Sequence, residues 1–212
     1  MKSILSPRLN QISSLFVFLG LIVLVITYAP VVKEETKYQL SKPNPTTDYQ
    51  VADLQSPPVL TEKSVLITPI NYDFSLIVPK IGINTAVFPN VDSGNPDQYL
   101  PILKQGTAHA KYSSLPNQSG PVFIFAHSTD NFFNISQYNA VFFLLRKLGK
   151  GDDIYVFYQN KKYHYQVTGQ KIISPDEVPA EVKNTKTNTL ILQTCYPPGT
   201  TINRLLLFAD RI

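Results

Sequence analysis

The chain has one cysteine in 212 residues, no tryptophan, one methionine and three histidines. A single thiol excludes an internal disulfide, and without a clustered ligand set it also argues against a structural zinc site. Charge of one sign is scarce too. The 19 basic residues against 15 acidic ones leave a net +4, and the lysines are scattered with no basic run or interleaved aromatic platform. The electrostatic footprint of a nucleic-acid binder is therefore missing. No segment repeats. What remains, 43% hydrophobic and 16% charged residues, is the composition of an ordinary folded protein carrying a free thiol.

The long hydrophobic run is at the N-terminus. No residue from Ile12 to Tyr28 is charged, and Leu15 to Ile26 reads LFVFLGLIVLVI; extended to Val32 it gives the about 20 residues that cross a bilayer core as a helix. A cleaved signal peptide is the alternative, but the run is long for one, and the Thr27-Tyr28-Ala29 exit is followed by Pro30, a poor cleavage context. Lys2 and Arg8 precede the run, whereas Lys33, Glu34, Glu35 and Lys37 follow it with mixed sign. The positive-inside rule then places residues 1–11 in the cytoplasm, 12–32 in the membrane as a single-pass anchor with lipid as its partner, and the rest outside the cell. Residues 33–70 are rich in Pro, Thr, Ser and charge, show no sustained periodicity and read as an extracytoplasmic linker. A flexible chain of that length spans roughly 35 Å root-mean-square.

From Asn71 onward, short β-branched and aromatic runs alternate with Pro, Gly, Asn and Asp. Strands are expected at Phe74–Val78, Thr85–Phe88, Val122–Ala126, Ile154–Tyr158, Tyr163–Ile173, Thr189–Gln193 and Leu205–Ala209. One helical stretch is expected near Gln137–Leu148, stopped by Gly149. This is an all-β domain over 71–212, a closed antiparallel barrel or a sandwich.

The lone thiol ends one of these strands. Leu190-Ile191-Leu192 leads into Gln193-Thr194-Cys195, and Tyr196-Pro197-Pro198-Gly199 then forces a turn, since prolines cannot continue a ladder. A buried cysteine is a small hydrophobe, whereas an accessible one at a loop mouth is a nucleophile. Arg204 opens the next strand. If the two strands pair, its guanidinium returns to the thiol and can stabilise a thiolate or an oxyanion. Acyl transfer also needs an acid for the leaving amine. His127 ends the strand GPVFIFAH with the same strand-end placement; His109 in GTAHAKY and His164 in KYHYQV are rivals. For them packing or solvent exposure is the default reading, whereas for Thr194 strand propensity and a direct role at the site stand level.

The segments LIVPKIGINTAVFPNVD, GTAHAKYSSLPNQSGPVFIFAHS and LQTCYPPGTTINRLLLFA, with His127, Thr194-Cys195 and Arg204 in that order, resemble a sortase. Sortases are membrane-anchored cysteine transpeptidases of bacterial surfaces. The resemblance implies a closed sortase-type β-barrel of about eight strands with one or two short helices. It makes Cys195 the nucleophile, His127 the acid/base and Arg204 the oxyanion or carbonyl stabiliser, with Thr194 shaping the substrate site. It implies cleavage of an LPxTG-like signal on a surface protein between Thr and Gly, through a thioester. The acyl group then passes to a peptidoglycan-precursor or pilin amine, with no cofactor. Two positions depart from the usual pattern: Ile191 stands where the signature's first threonine falls, and Ser128 follows His127. The subclass stays open, with class D or E types in view. The linker shows no Asp-Pro-aromatic lid and the sequence stops straight after its last strand, which favours wall anchoring over pilin polymerisation. A hydrolytic cysteine peptidase and a non-catalytic surface β-domain that binds wall or partner proteins are the rival readings. Asp130 reads as a turn carboxylate. Asp176 and Glu177 form too small a set for calcium, so no metal is expected.

Overall fold

The structure is a computed structural model that describes residues 7–41, 48–55, 64–128, 141–177 and 188–212. A long helix, α1 (Pro7–Ser41), is followed by β1 (Asp48–Val51) and β2 (Ser64–Ile67), paired parallel. Then come β3 (Phe74–Val78), β4 (Ile83–Val91), α2 (Pro96–Leu103), β5 (Thr107–Ala110), β6 (Val122–Phe125), β7 (Asp153–Tyr158), β8 (Lys161–Ile173), β9 (Thr189–Tyr196) and β10 (Asn203–Arg211). β3 to β10 close into an eight-stranded barrel in the order β10-β8-β7-β3-β4-β5-β6-β9. Closure leaves no open edge for pairing with other chains. The expected all-β barrel is what forms, with the parallel pairs β4–β5 and β6–β9 set among antiparallel ones.

Side chains alternate across the barrel wall with the period of two that a strand imposes. Leu76, Ile124, Val156, Leu192 and Leu207 point inward into one large cluster. Ile173, Ile191 and Leu206, with Phe123 and Phe208 packed on them, form a second cluster on the other face of the same strands. Truncating any fully buried leucine of the interior, Leu192 for example, costs about 2–5 kcal/mol through lost transfer energy and the cavity left behind.

All seven expected strands are present, several of them longer than expected. Within 71–212 one further strand and one α-helix were not expected. β5 is one, and α2 is the other: Asn95 caps α2 by accepting the Asp97 N–H at 3.1 Å, and Pro96 supplies a preset φ at its start. Conversely, the described part of the expected Gln137–Leu148 helix is a run of turns ending in a 3-10 turn at Leu145–Lys147. Its remainder, 137–140, lies outside the described residues. Phe142 and Leu145 are fully buried there, so the helix-like spacing of apolar residues serves core packing.

The segment expected as a linker carries structure of its own, with the end of α1 covering residues 33–41. Val51 of β1 packs with Ile77 and Phe157, and Asp53 pairs with Lys162 at 3.2 Å, so the small sheet lies against the barrel. The expected membrane span, 12–32, falls inside α1, whose side chains from Leu15 to Ile26 stand exposed. Among the described residues no helix is long and apolar enough to cross a membrane. The helix forms over the expected span, but among the described residues its crossing of a membrane is not supported.

Candidate active site

β9 and β10 run antiparallel in unbroken register from Thr189–Asp210 to Tyr196–Asn203, and Cys195 is directly opposite Arg204. Alternation from Ile191 puts Cys195 on the face of the outer apolar cluster, and alternation from Leu206 puts Arg204 on the same face. Residues opposed in this way have Cβ atoms about 4.5–5.5 Å apart. The turn between them holds a cis Tyr196-Pro197 peptide, Gly199 at φ 84, and Thr200, whose N–H and hydroxyl both donate to the Pro197 carbonyl. Cys195 is partly exposed.

The Arg204 guanidinium is held from the same turn: Nη1 donates to the carbonyl oxygens of Thr201 at 3.0 Å and Asn203 at 3.1 Å. Sequence reasoning did not anticipate these two groups, because backbone carbonyls carry no side-chain signature. Their effect is to fix one edge of a planar, permanently charged fork on the residue that faces Cys195 across the strands.

β6 lies on the other side of β9, parallel to it, with Phe125 level with Gln193. His127 is two residues past Phe125, as Cys195 is two residues past Gln193, so both stand at the same level of the barrel rim. The Ala126 N–H donates to the Gln193 carbonyl at 3.1 Å, and the Thr194 hydroxyl donates to the Ala126 carbonyl at 2.9 Å. Thr194 is 4% exposed. Its place is one residue off the face of Cys195, where it ties the His127 segment to the cysteine strand. His127 is 8% exposed, and its carbonyl accepts the Phe142 N–H at 3.1 Å. The fold thus gathers all four expected site residues around the ends of β6, β9 and the start of β10.

The two other histidines are elsewhere. His109 pairs across from Ile124, three positions before His127, and is buried. Its Nδ1 accepts the Asn90 N–H at 3.3 Å, which leaves the ring proton on Nε2, 3.0 Å from the Ser114 carbonyl and 2.9 Å from the Ser113 hydroxyl. With that tautomer it cannot take a proton from Ser113. Desolvation pushes its pKa below the ordinary histidine value, against the opposing effect of the bond to Ser114. It lines a cavity of about 680 Å³ with Phe74, Asn90, Tyr112 and Tyr158. His164 stacks on its cross-strand neighbour Tyr155 at 4.4 Å and bonds Asp153 at 2.8 Å. Asp176 and Glu177 are exposed, and Asp130 lies outside the described residues.

A second cavity, of about 390 Å³, opens one residue along from the Cys195–Arg204 pair. Tyr196, Leu205 and Ile172 line it, together with the cations Arg146, Lys147 and Lys171.

Comparison with known proteins bears on the family and the fold. The sortase domain family pattern matches residues 76–212. Sortase D of Bacillus subtilis (strain 168) is 26% identical over 140 residues, which cover 65% of this chain and 62% of that protein. The chain thus spans less than two thirds of that relative's length. The structure of Clostridium perfringens sortase C with the C-terminal cell wall sorting motif is 27% identical, covers 65% of this chain and 69% of its own, and superposes with a TM-score of 0.53. Sortase A from Corynebacterium diphtheriae, at 22% identity, 67% and 61% coverage and a TM-score of 0.55, shares the fold. With its eight-stranded barrel and a family match that runs from β3 to the last residue, the chain belongs to the sortase family.

Proposed function

We propose that the chain is a cysteine transpeptidase that cuts an LPxTG-like sorting signal between Thr and Gly and joins the surface protein to an amine of the cell wall. The observation that carries this reading is the cross-strand pairing of Cys195 with Arg204, with His127 at the same level on the neighbouring strand. The Cys195 thiolate attacks the threonine carbonyl carbon, and the Arg204 guanidinium stabilises the oxyanion that forms. His127 gives its proton to the glycine nitrogen as the C–N bond breaks, leaving a thioester and a free amine. An incoming amine then attacks the thioester, His127 takes the amine's proton, and the thiolate departs. The thioester conserves the energy of the broken amide, so the transfer runs without ATP.

Residues 1–11 are assigned to the cytoplasm, 12–32 to a membrane anchor, 33–70 to the connection and 71–212 to the catalytic domain outside the cell. The exposed apolar run Leu15–Ile26 of α1 supports the anchor, because a bare hydrophobic surface of that length is stable in lipid and not in water.

The test is to mix the full chain in detergent with a pool of LPxTG-like peptides, with and without an oligoglycine amine, and separate the products. A ligated peptide that appears only with the amine is expected. Hydrolysed peptide regardless of amine would make the protein a peptidase, and unchanged peptide would leave a binding domain.

A further inference from the structure

We propose that Glu35 of α1 is a positioning residue for His127. This rests on the acid/base role given to His127 above. Glu35 lies outside the matched segment 76–212, yet its carboxylate reaches the barrel and uses both oxygens there. Oε2 accepts from Arg146 Nη2 at 2.8 Å and Oε1 accepts from Lys147 Nζ. One helical turn on, Tyr38 is buried and joins the interior cluster, with Lys147 Nζ 5.6 Å from its ring centroid. The last turns of α1 therefore clamp the 3-10 turn Leu145–Lys147 by charge on one residue and by burial on another.

That turn leads directly to the histidine. While Nη2 of Arg146 holds Glu35, Nη1 donates to the Phe143 carbonyl, and the guanidinium carbon lies 4.7 Å from the Phe143 ring centroid. The neighbouring Phe142 is fully buried, and its N–H is the donor to the His127 carbonyl. The path runs Glu35, Arg146, Phe143, Phe142, His127, with each link a hydrogen bond or a peptide bond. Because Phe142 is locked in the core, the turn moves as a unit. Loss of the carboxylate frees Arg146 to leave Phe143, and the backbone that carries His127 loses one support. The same turn contributes Arg146 and Lys147 to the cavity beside Tyr196, so the helix end bears on both sides of the Cys195 strand.

The experiment uses the full chain in detergent micelles and follows deuterium exchange at the histidine C2 position by mass spectrometry, for His127, His109 and His164 separately. Glu35→Gln is expected to speed exchange at His127 by roughly two- to fivefold, the range that a partly exposed ion pair supports, and to leave His109 and His164 unchanged. Arg146→Lys, which keeps the charge but not the fork to Phe143, is expected to act in the same direction, and Glu35→Asp to restore part of the effect. Unchanged exchange at His127 in Glu35→Gln, or an equal rise at all three histidines, overturns the proposal. In parallel, the rate of Cys195 alkylation by iodoacetamide is followed against pH. An inflection that disappears in His127→Gln supports the acid/base role. Its absence from the parent chain counts against that role, and so against the catalytic meaning of the clamp, whatever the exchange shows.

Discussion

Arg204 is the direct cross-strand partner of Cys195, and Thr201 and Asn203 each accept a hydrogen bond from its Nη1. The turn that brings the two strands together is thus also what orients the cation. A lysine keeps the charge but has neither the planar fork nor the reach to hold both carbonyls and an oxyanion. Arg204→Lys is expected to lower turnover by about 10²–10³-fold, the cost of removing one preorganised oxyanion donor, with little loss of folding. Peptide-ligation kinetics of the two proteins, alongside their thermal midpoints, check this; ligation at the parent rate would remove Arg204 from the mechanism.

Thr194 ties the His127 segment to β9 through the Ala126 carbonyl. Thr194→Val keeps the shape and β-branching but loses the hydroxyl, so it is expected to cost about 1–2 kcal/mol. It should also lower kcat more than it raises KM, because Thr194 is buried and its hydroxyl is engaged by the Ala126 carbonyl. Denaturant melts and steady-state kinetics measure both effects. A KM-only change would mean that Thr194 contacts substrate.

His109 gives the fold a pH dependence. Its pKa is lowered in the folded chain by desolvation, so the unfolded chain takes up the proton first, near the ordinary value of 6.5. The stability it contributes is complete above that value and is lost as pH falls through it toward the lowered folded pKa. Urea midpoints at pH 7.5 and 5.5 are expected to differ in the parent and to converge in His109→Gln. A variant with the parent's pH dependence would assign the effect to another group.

Tyr165 is fully buried, and among the described residues its hydroxyl has no hydrogen-bond partner. Desolvation is the main cause that pushes its pKa up to about 12. Tyr165→Phe removes a buried polar atom and keeps the ring, so it is expected to leave stability unchanged or raise it by about 1–2 kcal/mol. A thermal midpoint lower than the parent's would reveal a bond to that hydroxyl.

The barrel and its rim were legible because their signal is local. Continuous apolar runs, Leu190–Leu192 and Leu205–Phe208, mark β9 and β10, the Pro-Pro-Gly turn fixes where they part, and the strand-end positions of His127 and Cys195 follow from runs of apolar residues. β5 escaped notice because its four residues, TAHA, have little β-branching or alternation. α2 carries Pro96 and Pro101, which read as turn punctuation although one starts the helix and the other is tolerated within it. The apolar spacing of 141–148 mimicked a helix, since buried phenylalanines and leucines on a turn repeat at similar intervals. Glu35 was beyond the reach of sequence reading: its contacts with Arg146 and Lys147 span 111 and 112 residues, and a carboxylate in a charged, proline-rich region gives no sign of its partner.

The central claim is that Cys195 is a nucleophile that carries the acyl group. The most direct measurement is the intact mass of the full chain after incubation with an LPxTG-like peptide and no amine, followed by fragmentation to locate any adduct. The account predicts an added mass equal to the peptide's acyl portion through threonine, placed on Cys195, absent in Cys195→Ala and discharged on adding an oligoglycine amine. An unmodified Cys195 in a chain that still ligates the peptide would contradict it.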